Sequence, residues 1–389
     1  MRRRDRALLV ILALTAFGFE WEGRLGRLER ELASAPPGRR QEVVRLLAAY
    51  PAAEVADALL QALQDEDAGV RSAAAEAAGR VRLRQAVPAL LAWLADPDAD
   101  GRAAAARALG RIAEASAVPS LVRTLGDADP LVRVAAVDAL ENLGRASGGD
   151  ESVVPLLGRL EDDDPRVRSR AARALASLGD PRALVPLIGR GRDEAPEVRA
   201  VVYGALGRLG DRRATPALVQ GLRDGNEEAR LAAVGALGRM ADPRAREPLL
   251  ELVEDGDARV VRAAIAALGE LPGETVVLAL IGLLPRHPIP AGDALLQRPL
   301  PASGDDPVAV LLARRCRDLA GRNEAPMNAT VLARRLLQRP QPSVGEDLRE
   351  ALRRARPSEL PALLSALARS GDEEAGVLLL AQRFEGRGL

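Results

Sequence analysis

Apolar positions recur along this chain in blocks that repeat every 31 residues. Asp65, Asp96, Asp127, Asp162, Asp193, Asp224 and Asp255 mark one slot of the block, at steps of 31, 31, 35, 31, 31 and 31 residues. Counting back from each aspartate, slots six, five and two are apolar almost throughout: Leu59, Leu60 and Leu63, then Leu90, Leu91 and Leu94, and so on to Leu249, Leu250 and Val253. Spacing of i, i+1 and i+4 puts these side chains on one face of a helix. Pro88, Pro119, Pro155, Pro186, Pro216 and Pro248 fall near the start of that helix, where a missing N–H costs nothing.

A second helix follows each aspartate. Val70, Val132, Val167, Val198 and Val260 stand five residues on, with Gly101 and Ala229 in the other two blocks. Slot twelve is always alanine, from Ala77 through Ala108, Ala139, Ala174, Ala205 and Ala236 to Ala267. Slot thirteen is leucine except at Ala78. The obligate alanine predicts a close approach of neighbouring helices, with the leucine filling the layer between blocks. Glycines near the helix ends (Gly79, Gly110, Gly144, Gly179, Gly210, Gly238, Gly269) are expected to form left-handed C-terminal caps. The period therefore predicts an all-α stack of antiparallel helix pairs of about 31 residues.

The turns Asp129-Pro130-Leu131-Val132-Arg133 and Asp164-Pro165-Arg166-Val167-Arg168, each followed by an alanine-rich helix, resemble HEAT repeats. The likeness is to the short bacterial variety related to phycobilisome-lyase subunits, and it covers seven repeats over residues 54–273. It implies a right-handed α-solenoid stabilised by contacts between adjacent units. It also implies that the second helices line the concave surface.

The ends of the chain depart from the period. Residues 22–53 read as divergent capping helices, Arg24–Ala35 and Arg40–Tyr50, joined by a turn at Pro36-Pro37-Gly38. Before them, Arg2, Arg3, Arg4 and Arg6 precede an apolar run from Ala7 to Phe19. That pattern reads as an export signal or N-terminal membrane anchor over residues 1–21. It places the repeats in the cell envelope, in the periplasm or held to the inner membrane, outside the cytoplasm. Residues 274–389 read as a degenerate helical extension with a proline-rich loop at 285–307 that holds His287. Within the extension, Asp306–Gly321 reads as a worn second helix, and further helices are expected at Ala329–Gln338, Glu346–Arg356, Glu359–Ser370 and Glu373–Phe384.

Six residues after the first six marker aspartates stand Arg71, Arg102, Arg133, Arg168, Arg199 and Arg230. A carboxylate beside helix N-terminal amides, with an arginine at fixed spacing, is read as a structural ladder rather than a reactive array. A second acid (Asp67, Asp98, Asp129, Asp164 or Asp257) fits an N-cap. His287 is the single histidine, so neither a histidine-based triad nor a histidine-rich metal site can form. Cys316 is the single cysteine and sits between Arg315 and Arg317, a setting that could lower its pKa, although burial as a small hydrophobe is the simpler expectation. Catalytic residues, metal and cofactor are accordingly all expected to be none.

Slots seven, eleven and fifteen after the aspartate share a stripe of the second helix away from the apolar slots. They hold Arg80, Arg107, Arg111, Arg173, Arg208, Arg239 and Arg262, against Glu76, Asp138 and Glu270. All 55 basic residues are arginine and 55 acids balance them, so there is no global attraction to nucleic acid. The stripe also lacks aromatic side chains for stacking bases. The expected function is a non-catalytic scaffold or adaptor. Its partner is another protein offering an acidic segment, with membrane contact through the N-terminal segment if that stays uncleaved. No nucleic acid or small molecule is expected. The alternatives are a chromophore lyase or isomerase subunit like the phycobilin lyases, and an accessory module of an envelope enzyme or transporter.

Overall fold

A computed structural model describes residues 23–148, 150–299, 305–320, 325–338, 341–356 and 358–370. Regular structure among the described residues is helical throughout, with no strand. The leader read at 1–21 and the helix expected at 373–384 lie outside the described residues. No described helix is long and apolar enough to cross a membrane. The chain divides into two compact bodies, Met1–Arg190 and Gly191–Leu389.

In the first body, residues 23–34 pair with Pro37–Leu47, and Ala52–Ala62 with Ala68–Arg80. Val87–Trp93 then pairs with Ala99–Ile112, Val118–Thr124 with Pro130–Ser147, and Asp150–Gly158 with Pro165–Leu178, before the body closes with Leu184–Arg190. The second body opens with Pro196–Leu209. Thr215–Gly221 pairs with Glu227–Met240, Arg246–Glu251 with Ala258–Glu270, and Glu274–Leu283 with Pro288–Gln297. Pro307–Leu319 with Ala325–Gln338, and Gly345–Arg354 with Leu360–Arg369, complete it. Within each body the second helices pack chiefly on one another.

The apolar slots behave as their spacing predicts. Leu59, Leu90, Leu121, Leu156, Leu187, Leu218 and Leu249 are fully buried, while their partners one residue on are half-buried at the helix edge. The slot-twelve alanines are buried in every repeat, and so are the six slot-thirteen leucines and Ala78. Proline falls in the first turn of Val87–Trp93, Val118–Thr124 and Thr215–Gly221. Pro155 does not: its helix begins at Asp150, so this proline sits inside it.

Two glycine slots, read together from the sequence as caps, separate in the structure. Slot fourteen lies inside the second helix, against the alanine of the next repeat. A Cβ at Gly110 would stand 2.5 Å from the Cα of Ala139, and one at Gly207 2.6 Å from that of Ala236. Gly79, Gly238 and Gly269 make the same approach to Ala108, Ala267 and Ala294. These glycines admit a neighbour rather than a left-handed turn. Left-handed caps occur at slot seventeen, and only Gly179 and Gly210 supply glycine there. Arg82, Ala113 and Ala241 adopt the same conformation, with φ of 53°, 59° and 47°. Gly144 is no cap either, because Pro130–Ser147 continues through it to a left-handed Gly148.

The segment read as a proline-rich loop at 285–307 contains the helix Pro288–Gln297. Pro288 and Pro290 occupy its first turn, where no intrahelical N–H is lost. Ala294 fills the alanine slot against Gly269, so the packing register continues where the aspartate signature stops. Pro307–Leu319 packs as the first helix of a pair with Ala325–Gln338, rather than as the worn second helix its sequence suggested. Arg335 fastens this region from a fully buried position. Its Nε donates to Asp306 Oδ2 at 2.6 Å and its Nη1 to the carbonyls of Leu296 and Arg298.

Two substitutions separate the slots. Gly110→Ala should lower the urea midpoint, at a cost of about 1–3 kcal/mol, because Ala139 must be pushed back. Ala241→Gly should raise it by up to about 1 kcal/mol by relieving the left-handed penalty. Equal effects at the two positions would contradict the assignment.

Candidate functional site

Each marker aspartate holds its own turn. Its Oδ1 accepts the backbone N–H two residues on, in all seven repeats, at 2.8–3.0 Å. The second polar residue then caps the following helix: Asp67, Asp98, Asp129, Asp164, Asn226 and Asp257 each accept an N-terminal amide. The arginine six residues on returns Nη1 to the carbonyl of its own aspartate, at 2.8–2.9 Å for Arg71, Arg102, Arg133, Arg168, Arg199 and Arg230.

The rest of the guanidinium crosses to the next repeat. Arg102 reaches Asp127, Arg133 reaches Asp162 and Arg199 reaches Asp224, each through two parallel hydrogen bonds of 2.7–2.9 Å. Arg40 does the same to Asp65, which carries the ladder into the N-terminal pair. Such forked contacts fix geometry as well as charge. The hydrogen bonds from Arg102 and Arg199 hold the carboxyls of Asp127 and Asp224 below their ordinary values.

Two rungs differ. Trp93 Nε1 donates to Asp96 Oδ2 at 2.5 Å, and Arg71 lies over the Trp93 ring, 6.0 Å from its centre, instead of reaching Asp96. Arg230 Nε stands 3.9 Å from Asp255 Oδ2 and is buried without a hydrogen bond. A further ladder escaped the sequence reading. Asp180, Asp211 and Asp242 cap the short turns before three first helices and pair with Arg182, Arg213 and Arg244. Its signal was the recurring Ala183, Ala214 and Ala245, all fully buried.

The seven stripe arginines, Arg80, Arg107, Arg111, Arg173, Arg208, Arg239 and Arg262, are all exposed on second helices. Arg80 and Arg111 share Glu76, at 3.3 and 3.8 Å. Among the described residues the other five make no ion pair. In the first body the stripe is broken at Asp138, which Arg170 engages together with Glu141. Burial raises the Asp138 carboxyl above its usual value, against the pull of Arg170.

Beside the stripe in the first body lies an open cavity of about 580 Å³, lined by Arg80, Arg82, Arg111, Asn142 and Arg145. Arg82 and Arg145 were not foreseen. The one 35-residue step brings Arg145 to the site by lengthening its helix to 18 residues, against 13 and 14 for the two before it.

Elsewhere chemistry is sparse. Cys316 is buried, and burial pushes its thiol well above the ordinary value despite Arg315 and Arg317. His287 is partly exposed just before Pro288–Gln297. Among the described residues no group of histidine, cysteine and carboxylate side chains could hold a metal ion.

The ladder gives stability a definite pH dependence. Asp127 and Asp224 have folded pKa values below the unfolded one, so their contribution is complete above the unfolded value. It is lost as pH falls through the lower folded values. The urea midpoint should therefore be level from neutral pH to about pH 5 and fall below about pH 4. Asp127→Asn, which leaves Arg102 half-paired, should cost about 1–3 kcal/mol at pH 7 and flatten the acid fall. An unchanged acid profile in this variant would remove the rung from the account.

Solved structures with similar folds include importin beta, at 15% identity and a TM-score of 0.53, covering 89% of this chain and 52% of that one. This likeness is one of fold. YibA of E. coli matches at 22% identity and a TM-score of 0.49, over 62% of this chain and 92% of its own. The complex of CpcE and CpcF of phycocyanin lyase from Nostoc sp. PCC7120 matches at 24% and 0.37, over 63% and 93%. No curated protein matches the chain. The family model for HEAT repeats matches residues 27–100, 87–164, 153–227 and 215–290, well over half of the sequence, and the chain belongs to the HEAT-repeat family.

Proposed function

We propose that this protein is a binding scaffold without catalysis of its own, whose second-helix faces hold an acidic segment of another protein. The observation that carries the reading is the set of exposed arginines that make no ion pair among the described residues: Arg107 and Arg173 in the first body, Arg208, Arg239 and Arg262 in the second. Their helices are held in register by rungs and alanine contacts, so the charges are presented at fixed intervals. Rigid presentation reduces the entropy lost on binding. The same arginines would bring an acidic partner in quickly, an effect that salt weakens.

The scaffold works in the cell envelope, with its repeats outside the cytoplasm. This part of the proposal rests on the arginine cluster at residues 2–6 and the apolar run Ala7–Phe19.

A labelled glutamate-rich peptide tests the binding face. Reversing Arg107 and Arg173 to Glu, or Arg208, Arg239 and Arg262 to Glu, should weaken its binding at least tenfold, with the thermal unfolding curve unchanged. Binding that survives both sets of reversals would move the site off these faces. For the location, mass spectrometry of the native protein from fractionated cells should find it in envelope fractions. A cytoplasmic chain would overturn that assignment.

A further inference from the structure

We infer that the arginine notch at the ends of the second helices in the first body is a phosphate-monoester site, engaging a phosphorylated side chain of the bound partner. The inference rests on the second-helix face being the binding face, since Arg80 and Arg111 belong to both.

The notch is built by three helix ends. Ala68–Arg80 and Ala99–Ile112 stop short, each followed by a left-handed residue, Arg82 or Ala113. Pro130–Ser147 runs on for a further turn because of the 35-residue step, and that turn raises Arg145 as a wall beside Asn142. Gly79 and Gly110 are part of its lining, and the arm of Arg111 passes over Gly79. Four arginines, Arg80, Arg82, Arg111 and Arg145, thus line one open cavity of about 580 Å³.

Charge in the notch is under-compensated. Among the described residues Glu76 is the one carboxylate within ion-pair range of it, and a single oxygen serves Arg80 at 3.3 Å and Arg111 at 3.8 Å. Both distances exceed the roughly 2.7–2.9 Å of a strong charge-assisted hydrogen bond. Arg82 and Arg145 make no ion pair among the described residues and are exposed. A second carboxylate would add one charge and two acceptor oxygens. A phosphate monoester brings about −1.5 to −2 charge and three acceptor oxygens on one centre, which suits recognition by several arginines. Displacing Glu76 then frees Arg80 and Arg111 to close on it. The broad mouth admits a group at the end of a side chain, with the rest of the segment lying along the stripe.

Calorimetry on the full chain tests this with inorganic phosphate and with a glutamate-rich peptide bearing one phosphoserine or its serine counterpart. Phosphate should bind saturably, and Arg145→Gln or Arg82→Gln should each weaken it about tenfold. Phosphoserine should raise peptide affinity about tenfold in the native protein and not in either variant. The inference is overturned if phosphate binding is indifferent to both variants or if phosphoserine adds nothing. Stronger binding to phosphatidate vesicles than to the phosphopeptide would overturn the assignment to a partner's side chain. Phosphate binding that needs Arg145, without any binding of the serine peptide, would uphold the notch and refute the acidic-segment reading of the face.

Discussion

The contact between neighbouring second helices sets the terms for everything else in this protein. Alanine at slot twelve meets glycine at slot fourteen of the preceding repeat at four junctions, leaving no room for even one added methyl at Gly110 or Gly207. Packing that tight has a single acceptable register, because a shift of one residue would bring a larger side chain into the gap. With aromatic residues at 2% of the chain, there are few large side chains to fill a looser interface. Stability must come from many small, well-fitted contacts repeated along each body.

The Arg–Asp rungs act at the turns between helices. Arg40, Arg102, Arg133 and Arg199 each tie the turn of one repeat to the turn of the next through a forked pair, while Arg71 turns to Trp93 and Arg230 Nε is left without a hydrogen bond. Charges this close to burial weigh against folding unless fully satisfied. The consistent answer in Arg102, Arg133 and Arg199 is a forked pair plus a return bond to the arginine's own turn. Trp93 takes part of the role at Asp96, and Arg335 pairs with Asp306 farther along the second body. The two devices fix separation and orientation of the second helices, and the stripe arginines inherit that order.

Most of this architecture was legible from spacing. The aspartate period gave the pairs, the buried leucines and the N-caps, because each depends on contacts within one repeat or between identical slots. What escaped depended on which of two similar slots does which work. Glycines at slots fourteen and seventeen look alike in sequence, yet one admits a neighbouring helix and the other reverses the chain. The helix Pro288–Gln297 was hidden because prolines that suit a first turn also suit a loop, and no aspartate marked its start. The stripe arginines are exposed on their second helices, as the helical period implies. Arg82 and Arg145 were missed because their approach depends on helix length and on a left-handed residue, and neither follows from the repeat pattern.

An arginine-rich, lysine-free surface also offers a direct way to see which face binds. Phenylglyoxal modification of the full chain, read residue by residue by mass spectrometry with and without a glutamate-rich peptide, measures the shielding of each guanidinium. If the second-helix faces hold the partner, Arg107, Arg173, Arg208, Arg239 and Arg262 are protected, while Arg84, Arg223 and Arg286, exposed on other parts of the repeats, react as before. Uniform protection, or protection confined to those three, would contradict the account.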